Sequence, residues 1–382
     1  MINKILINAL GIQDSGGITV LEKSLEECLS NKLNNYLIIC NDNLNINHLA
    51  DKYKDIKQFQ FKIIQAKGFL YRLYYENIIF RKIIKENNIN LIYNFSGSSQ
   101  FFLQIPQLIK IQNLLFYSKK LDNVYKQNNK FILWLKQIYL KRIIFKSMAN
   151  NSKYFEIQSS HVKNYMSDFI NINNKKFYIK SDIDVNDNLF SKPKQYDFTQ
   201  KIKFLYIVGP HFEYIHKNFI DFINVMLELN KRNIDFEINI TLTKEQLENS
   251  VLWDNNLNDK TNFLGYLTDK EKMQELFCDN TILISTSIIE TLGLHVIEGI
   301  KNGIVTIAPD EEYSKAVYGE NIIKYNLFDT KSLLNSVLSI INNKIDCTDY
   351  ILTLQNDLKI SENNKQKNIV DIFDEILKEE NV

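Results

Sequence analysis

The chain has 382 residues, with 46 Lys and Arg set against 45 Asp and Glu, for a net charge of +1. That length exceeds one ordinary hydrophobic core and predicts two domains, while the near-neutral balance gives no global field to draw in nucleic acid. Hydrophobic residues make up 45% and charged residues 24%, as in globular proteins, and no stretch of 18 uncharged apolar residues offers a membrane span. The four cysteines, Cys28, Cys40, Cys278 and Cys347, have no metal-ligand spacing and read as core thiols of a reducing compartment.

The opening MINKILINALGI is too short an apolar run for a signal peptide, and it runs into Gln13-Asp14. It reads as strand Lys4–Ala9, a loop to Gly16-Gly17 and a helix to about Leu33, before a buried strand at Tyr36–Cys40. This is the start of a doubly wound α/β domain, without the G-x-G-x-x-G of a dinucleotide site. Adjacent glycines before a helix either let backbone approach a ligand or only tighten a turn. Further strands are predicted at 61–66, 91–95, 108–111, 154–157 and 176–179, with helices over about 70–87 and 119–150.

Residues 116–153 carry nine Lys and Arg against the single acid Asp122, interleaved with Phe131, Trp134, Tyr139 and Phe145. Two readings stand open: an amphipathic helix with a solvated basic face, or a surface that leans on an anionic membrane. Without a known module, nucleic acid is not an expected partner. Asp182-Ile183-Asp184 forms a D-x-D, read as a turn towards a linker over Asn186–Gln200 rather than a metal site.

The pattern then restarts: strand Lys203–Val208, turn Gly209-Pro210, helix Lys217–Arg232 and strand Asp235–Ile240. Phe263-Leu264-Gly265-Tyr266 closes another strand, and Lys270–Phe277 is helical. The densest signal is 281–309: strand Thr281–Ser285, a loop holding Glu290, a helix over about Gly293–Lys301 carrying Glu298, and strand Ile304–Ala308. Free amides and the helix dipole at such a helix start favour an anion. The apolar neighbours of Glu298 predict a partly buried carboxylate that needs a partner. Residues 310–314 read as a loop, followed by a strand at 322–325 and helices near 329–342 and 366–379.

Glu-x7-Glu, with Gly-Leu starting three residues after the first Glu, resembles the donor site of family 4 of the retaining glycosyltransferases. The resemblance spans nearly the whole chain and is most specific over 263–308. It implies a GT-B fold, two Rossmann-like doubly wound domains facing across a cleft: an acceptor-side domain at 1–190, a donor domain at 191–365, and a last helix at 366–382 returning to the first. It also implies a cytoplasmic hexosyltransferase that takes a UDP-, GDP- or dTDP-linked sugar and needs no metal or other cofactor. The acceptor would be a glycan or glycolipid, such as a lipid-linked O-antigen or capsule intermediate.

Carried onto this chain, Glu298 would hold the ribose and Glu290 the transferred sugar. Lys217 and the amides of Thr291, Leu292, Gly293 and Leu294 would face the diphosphate. Tyr266 would either stack on the base or cap the core, and Gly16 and Gly17 would lie near the donor phosphates and acceptor. Two positions depart from the pattern. Gln112 stands where the family has a His, so it can orient a hydroxyl but not act as a base. Pro210 replaces a phosphate-binding Arg, with His211 or His216 as substitutes. A nucleotide-sugar epimerase and a donor-binding subunit without activity are the alternatives.

Overall fold

The structure, a computed structural model, describes residues 3–12, 15–66, 68–184, 186, 189–267, 269–361 and 367–380. Two compact units divide the chain: Met1–Ser118, Lys130–Asp182 and Lys365–Val382 form the first, Lys119–Asn129 and Ile183–Asn364 the second.

In the first unit β1 (Lys4–Ala9), α1 (Ser15–Cys28), β2 (Asn35–Asn41), α2 (Leu44–Lys52) and β3 (Phe59–Ile64) are followed by α3 (Gly68–Tyr74) and α4 (Phe80–Asn87). Then come β4 (Leu91–Asn94), β5 (Gln107–Ile111), α5 (Lys119–Gln127, which belongs to the second unit), α6 (Phe131–Trp134), α7 (Leu140–Asn150), β6 (Tyr154–Ile157), α8 (Ser160–Ser167) and β7 (Lys176–Ile179). The seven strands lie in the order β3-β2-β1-β4-β5-β6-β7, and every neighbouring pair is parallel. Continuous apolar strands such as ILINA suit a sheet covered on both faces, and all of Ile5–Ala9 is buried.

The second unit repeats the plan with β8 (Ile202–Tyr206), α9 (Phe219–Lys231), β9 (Phe236–Ile240), α10 (Lys244–Glu248), β10 (Thr261–Phe263) and α11 (Lys270–Glu275). It continues through β11 (Thr281–Ile284), α12 (Leu294–Lys301), β12 (Val305–Pro309), α13 (Glu312–Tyr318), β13 (Ile323–Tyr325), α14 (Thr330–Ile341) and α15 (Cys347–Ile360). Its parallel order is β10-β9-β8-β11-β12-β13. The last helix, α16 (Ile369–Glu379), packs in the core of the first unit, where Phe373 meets Tyr93 edge to face at 5.3 Å.

Several sequence expectations need correction. Gly16 and Gly17 lie in the first turn of α1, not in a loop, and Gln13 and Asp14 lie outside the described residues. The helix drawn to Leu33 stops at Cys28. The long helix over 119–150 is interrupted at Asn129, whose φ of 55° breaks the helical run. Residues 310–314 are not all loop, since α13 begins at Glu312.

The first aspartate of the D-x-D sits at a left-handed turn, with φ 56° at Asp182. It is buried against Lys110 at 2.7 Å and Lys180 at 3.0 Å, and Lys180 also reaches Glu27 at 2.7 Å. Burial pushes the Asp182 carboxyl up, but the two ammonium groups outweigh it and hold it below the usual carboxylate range. All four cysteines are free. Among the described residues no helix is long and apolar enough to cross a membrane.

Candidate functional site

In the sheet of the second unit, strand order reverses between β8 and β11, the place beyond whose carboxyl ends open α/β sheets bind ligands. Polar bonds fasten the loops after these two strands together. The Thr286 hydroxyl donates to the Lys217 carbonyl at 2.8 Å and pairs with the Tyr206 hydroxyl at 2.7 Å. The amide of Ile288 donates to the His216 carbonyl at 2.8 Å. Lys217 ends a short 3-10 turn (Ile215–Lys217), and Asn218, at φ 47°, redirects the chain into α9. The sequence placed Lys217 on the helix itself; it lies two residues before α9, at the end of the 3-10 turn.

So held, Lys217 donates from Nζ to Glu290 Oε1 at 2.7 Å. Both side chains are mostly covered, 27% and 18% exposed. Burial alone would raise the Glu290 carboxyl, but the Lys217 charge and hydrogen bonds from Lys217 and Ser287 outweigh it, leaving a pKa of about 2. Glu290 is therefore a carboxylate at every physiological pH.

Gly293 caps α12 at φ 58°, and a Cβ there would meet the Tyr318 hydroxyl at 2.0 Å. Only glycine fits this corner without movement. Thr291 and Leu294 are half-buried and Leu292 is buried, so the loop runs tightly into the helix start. The Tyr313 hydroxyl donates to the Ser287 carbonyl at 2.6 Å and braces the loop from the α13 side. Sequence reasoning did not single out His295, whose Nε2 meets Ser285 Oγ at 3.0 Å. Burial lowers the pKa of His295 and of His216 to about 4, so both are neutral at pH 7.

The remaining predicted residues are placed differently. Glu298 is exposed rather than partly buried, because its position on α12 falls between the inward Ile297 and Gly299. Tyr266 is 56% exposed and does not cap the core. His211 is exposed and stacks on Tyr214 at 4.8 Å. Gly16, Gly17 and Gln112 belong to the first unit.

The first unit has its own strand-order reversal, between β1 and β4, and a buried polar cluster fills it. Glu76 lies in a π-helical turn (Tyr75–Ile79) between α3 and α4, a local insertion that often marks function. Its Oε1 accepts from Arg72 Nε at 2.8 Å, Asn8 Nδ2 at 2.9 Å and Ser98 Oγ at 3.1 Å. Arg72 also donates to Ser96 at 2.9 Å, and its guanidinium occupies the space where a Cβ on Gly11 would stand. Nothing in the spacing of these residues announced the cluster, because the π turn that aligns Glu76 leaves no pattern in sequence. Among the described residues no group of three or more His, Cys, Asp or Glu is placed to hold a metal ion.

No family model matches the chain, and no curated protein matches it. Solved structures match along nearly its whole length. HepE from Anabaena, in complex with UDP and glucose, is 14% identical with a TM-score of 0.62, covering 99% of each chain. The lipopolysaccharide outer core galactosyltransferase WaaB is 14% identical with a TM-score of 0.62, over 98% of this chain and 99% of its own. A putative UDP-N-acetylglucosamine 2-epimerase from Listeria monocytogenes is 10% identical with a TM-score of 0.57, over 98% and 96%. With its seven- and six-stranded parallel units, the chain has the GT-B fold.

Proposed function

We propose that the protein is a retaining glycosyltransferase that moves a hexose from a nucleoside-diphosphate sugar to a glycan or glycolipid acceptor, without a metal. The observation that carries this is the Lys217–Glu290 pair, fastened at the β8/β11 reversal beside the Gly293-led start of α12. A fixed ammonium beside the positive end of the α12 dipole suits a diphosphate, and a carboxylate that stays ionised suits sugar hydroxyls.

In this account Lys217 and the amides of Thr291 to Leu294 bind the diphosphate and stabilise it as it departs. Glu290 holds the transferred sugar and Glu298 the ribose. Tyr266, exposed at the end of the β10 loop, stacks on the base, and His211 lies at the phosphate side in place of the cation missing at Pro210. Gln112 orients an acceptor hydroxyl on the first unit, where Gly16 and Gly17 also lie. Retention follows if the departing phosphate itself takes the acceptor proton, which suits a site with Gln112 and no protein base there. The first carboxylate of the D-x-D is already neutralised by Lys110 and Lys180, which supports a metal-free reaction.

The protein acts on the cytoplasmic side, with the surface of α6 and α7 resting on anionic membrane. In support, Phe131, Ile132, Tyr139, Leu140 and Ile143 are exposed among the lysines of 130–146. An epimerase remains the second reading, favoured by the match to the Listeria protein. Incubation with a labelled nucleotide sugar and lipid-linked glycan, with and without EDTA, separates these readings. Transfer with the anomeric configuration kept and EDTA without effect is expected. An isomerised sugar formed without acceptor would favour the epimerase, and activity restored only by manganese would reject the metal-free mechanism.

A further inference from the structure

The charges around Glu290 do not suffice for a diphosphate. Lys217 is offset by Glu290, and His216 and His295 carry no charge at pH 7. Pro210 supplies none. One more cation is brought to the same rim by a part of the sequence that looked unrelated to it. Lys119–Asn129 comes from the first half of the chain yet belongs to the second unit, where α5 packs against the Ile215–Lys217 turn that carries Lys217. From α5, Lys120 pairs with Glu311. Glu311 precedes α13, and two residues later Tyr313 bonds the Ser287 carbonyl in the loop that presents Glu290. The Lys120 side chain is 40% exposed and Glu311 only 13%, so the lysine is the more solvent-accessible partner of the pair.

We propose that Lys120 is a second diphosphate-binding residue, held by Glu311 until a nucleoside diphosphate or its sugar draws the ammonium onto its phosphate oxygens. This rests on the donor assignment above and adds to it a ligand group from outside the βαβ motif. A long, flexible ammonium can exchange one oxyanion for another at little cost, and Glu311, at the start of α13, keeps the favourable helix dipole when it is left alone.

Calorimetric titration of the full chain with UDP, GDP and dTDP, and with the matching monophosphates, tests this. For the diphosphate that binds, Lys120→Ala is expected to weaken affinity about tenfold, while monophosphate affinity stays within about twofold. Lys120→Arg should restore most of the loss. Glu311→Gln should leave diphosphate affinity equal or tighter, because it removes the competing carboxylate. An unchanged diphosphate affinity in Lys120→Ala overturns the proposal. So does an equal loss in Glu311→Gln, which would make the pair a structural staple. If Lys217→Ala weakens binding and Lys120→Ala does not, the donor assignment stands and the Lys120 role alone fails. If the wild-type chain binds none of the three diphosphates, both fall.

Discussion

Gly293→Ala provides a strong test of how the site is built. At φ 58° an alanine pays the left-handed penalty of roughly 1–2 kcal/mol. Its Cβ would also sit 2.0 Å from the Tyr318 hydroxyl, and Tyr318 is fully buried between α13 and the loop. Separation to ordinary contact requires more than an ångström of movement, and overpacking of that kind costs about 1–3 kcal/mol. The total is about 2–5 kcal/mol. Trp253, stacked on Phe219, reports on the second unit once Trp134 of the first is replaced by Phe. With a urea slope of about 2 kcal/mol per molar, the Trp253 transition should move down by about 1–2.5 M. Adding Tyr318→Phe removes the colliding oxygen and should recover the overpacking part, leaving the backbone penalty. Because Glu290 Cγ lies 3.6 Å from the same Cβ position, donor binding should fall as well. A shift under about 0.3 M, or no recovery with Tyr318→Phe, refutes the geometry.

In Lys217→Met the burial of Glu290 persists without its cation, so its pKa should rise from about 2 to above the ordinary carboxyl value, visible in a carboxyl-carbon NMR titration. The wild-type pair correspondingly stabilises the fold fully above the unfolded carboxyl pKa near 4.5, and loses that contribution as pH falls towards 2. His216 and His295 act over a different window. Their folded pKa values of about 4 lie below the ordinary 6.5, so the unfolded chain takes up their protons first. Stability of the second unit should drop by a few kcal/mol between pH 6.5 and 4 in Trp253-monitored unfolding, and His216→Gln should flatten part of that slope. In the first unit, Asp182→Ala takes one of two carboxylate partners from each of Lys110 and Lys180, which keep Glu156 and Glu27, and should cost about 1–3 kcal/mol by thermal unfolding.

How much of this was readable in advance depended on the kind of signal. Strands β1 and β6 have the limits expected from their apolar runs, since a strand buried on both faces needs a continuous hydrophobic segment, and the partly exposed edge strand β7 also keeps its expected limits. Helix α15 was missed although Tyr350, Ile351, Leu354 and Leu358 make a regular inward stripe, because the Asp, Thr and Asn between them obscure it. The break at Asn129 was hidden by helical periodicity on both sides, and only a left-handed residue reveals it. At the site, Glu290, Gly293 and Lys217 were legible as motif residues with local spacing. His295 against Ser285, and Lys120 against Glu311, were not, since strand-to-helix crossing and a helix borrowed from another part of the chain create them. The sequence misjudged Glu298 because apolar neighbours along a helix do not make each position inward.

The proposed function requires the β11–α12 corner to hold a nucleotide sugar. Calorimetric titration of UDP-, GDP- and dTDP-hexoses into the wild-type chain and Glu298→Ala tests it most directly. We expect saturable binding of one donor to the wild type, weakened by about 1–3 kcal/mol in the variant through loss of the charged partner of the ribose. Absence of binding by every donor, or undiminished affinity in a folded Glu298→Ala, would contradict it.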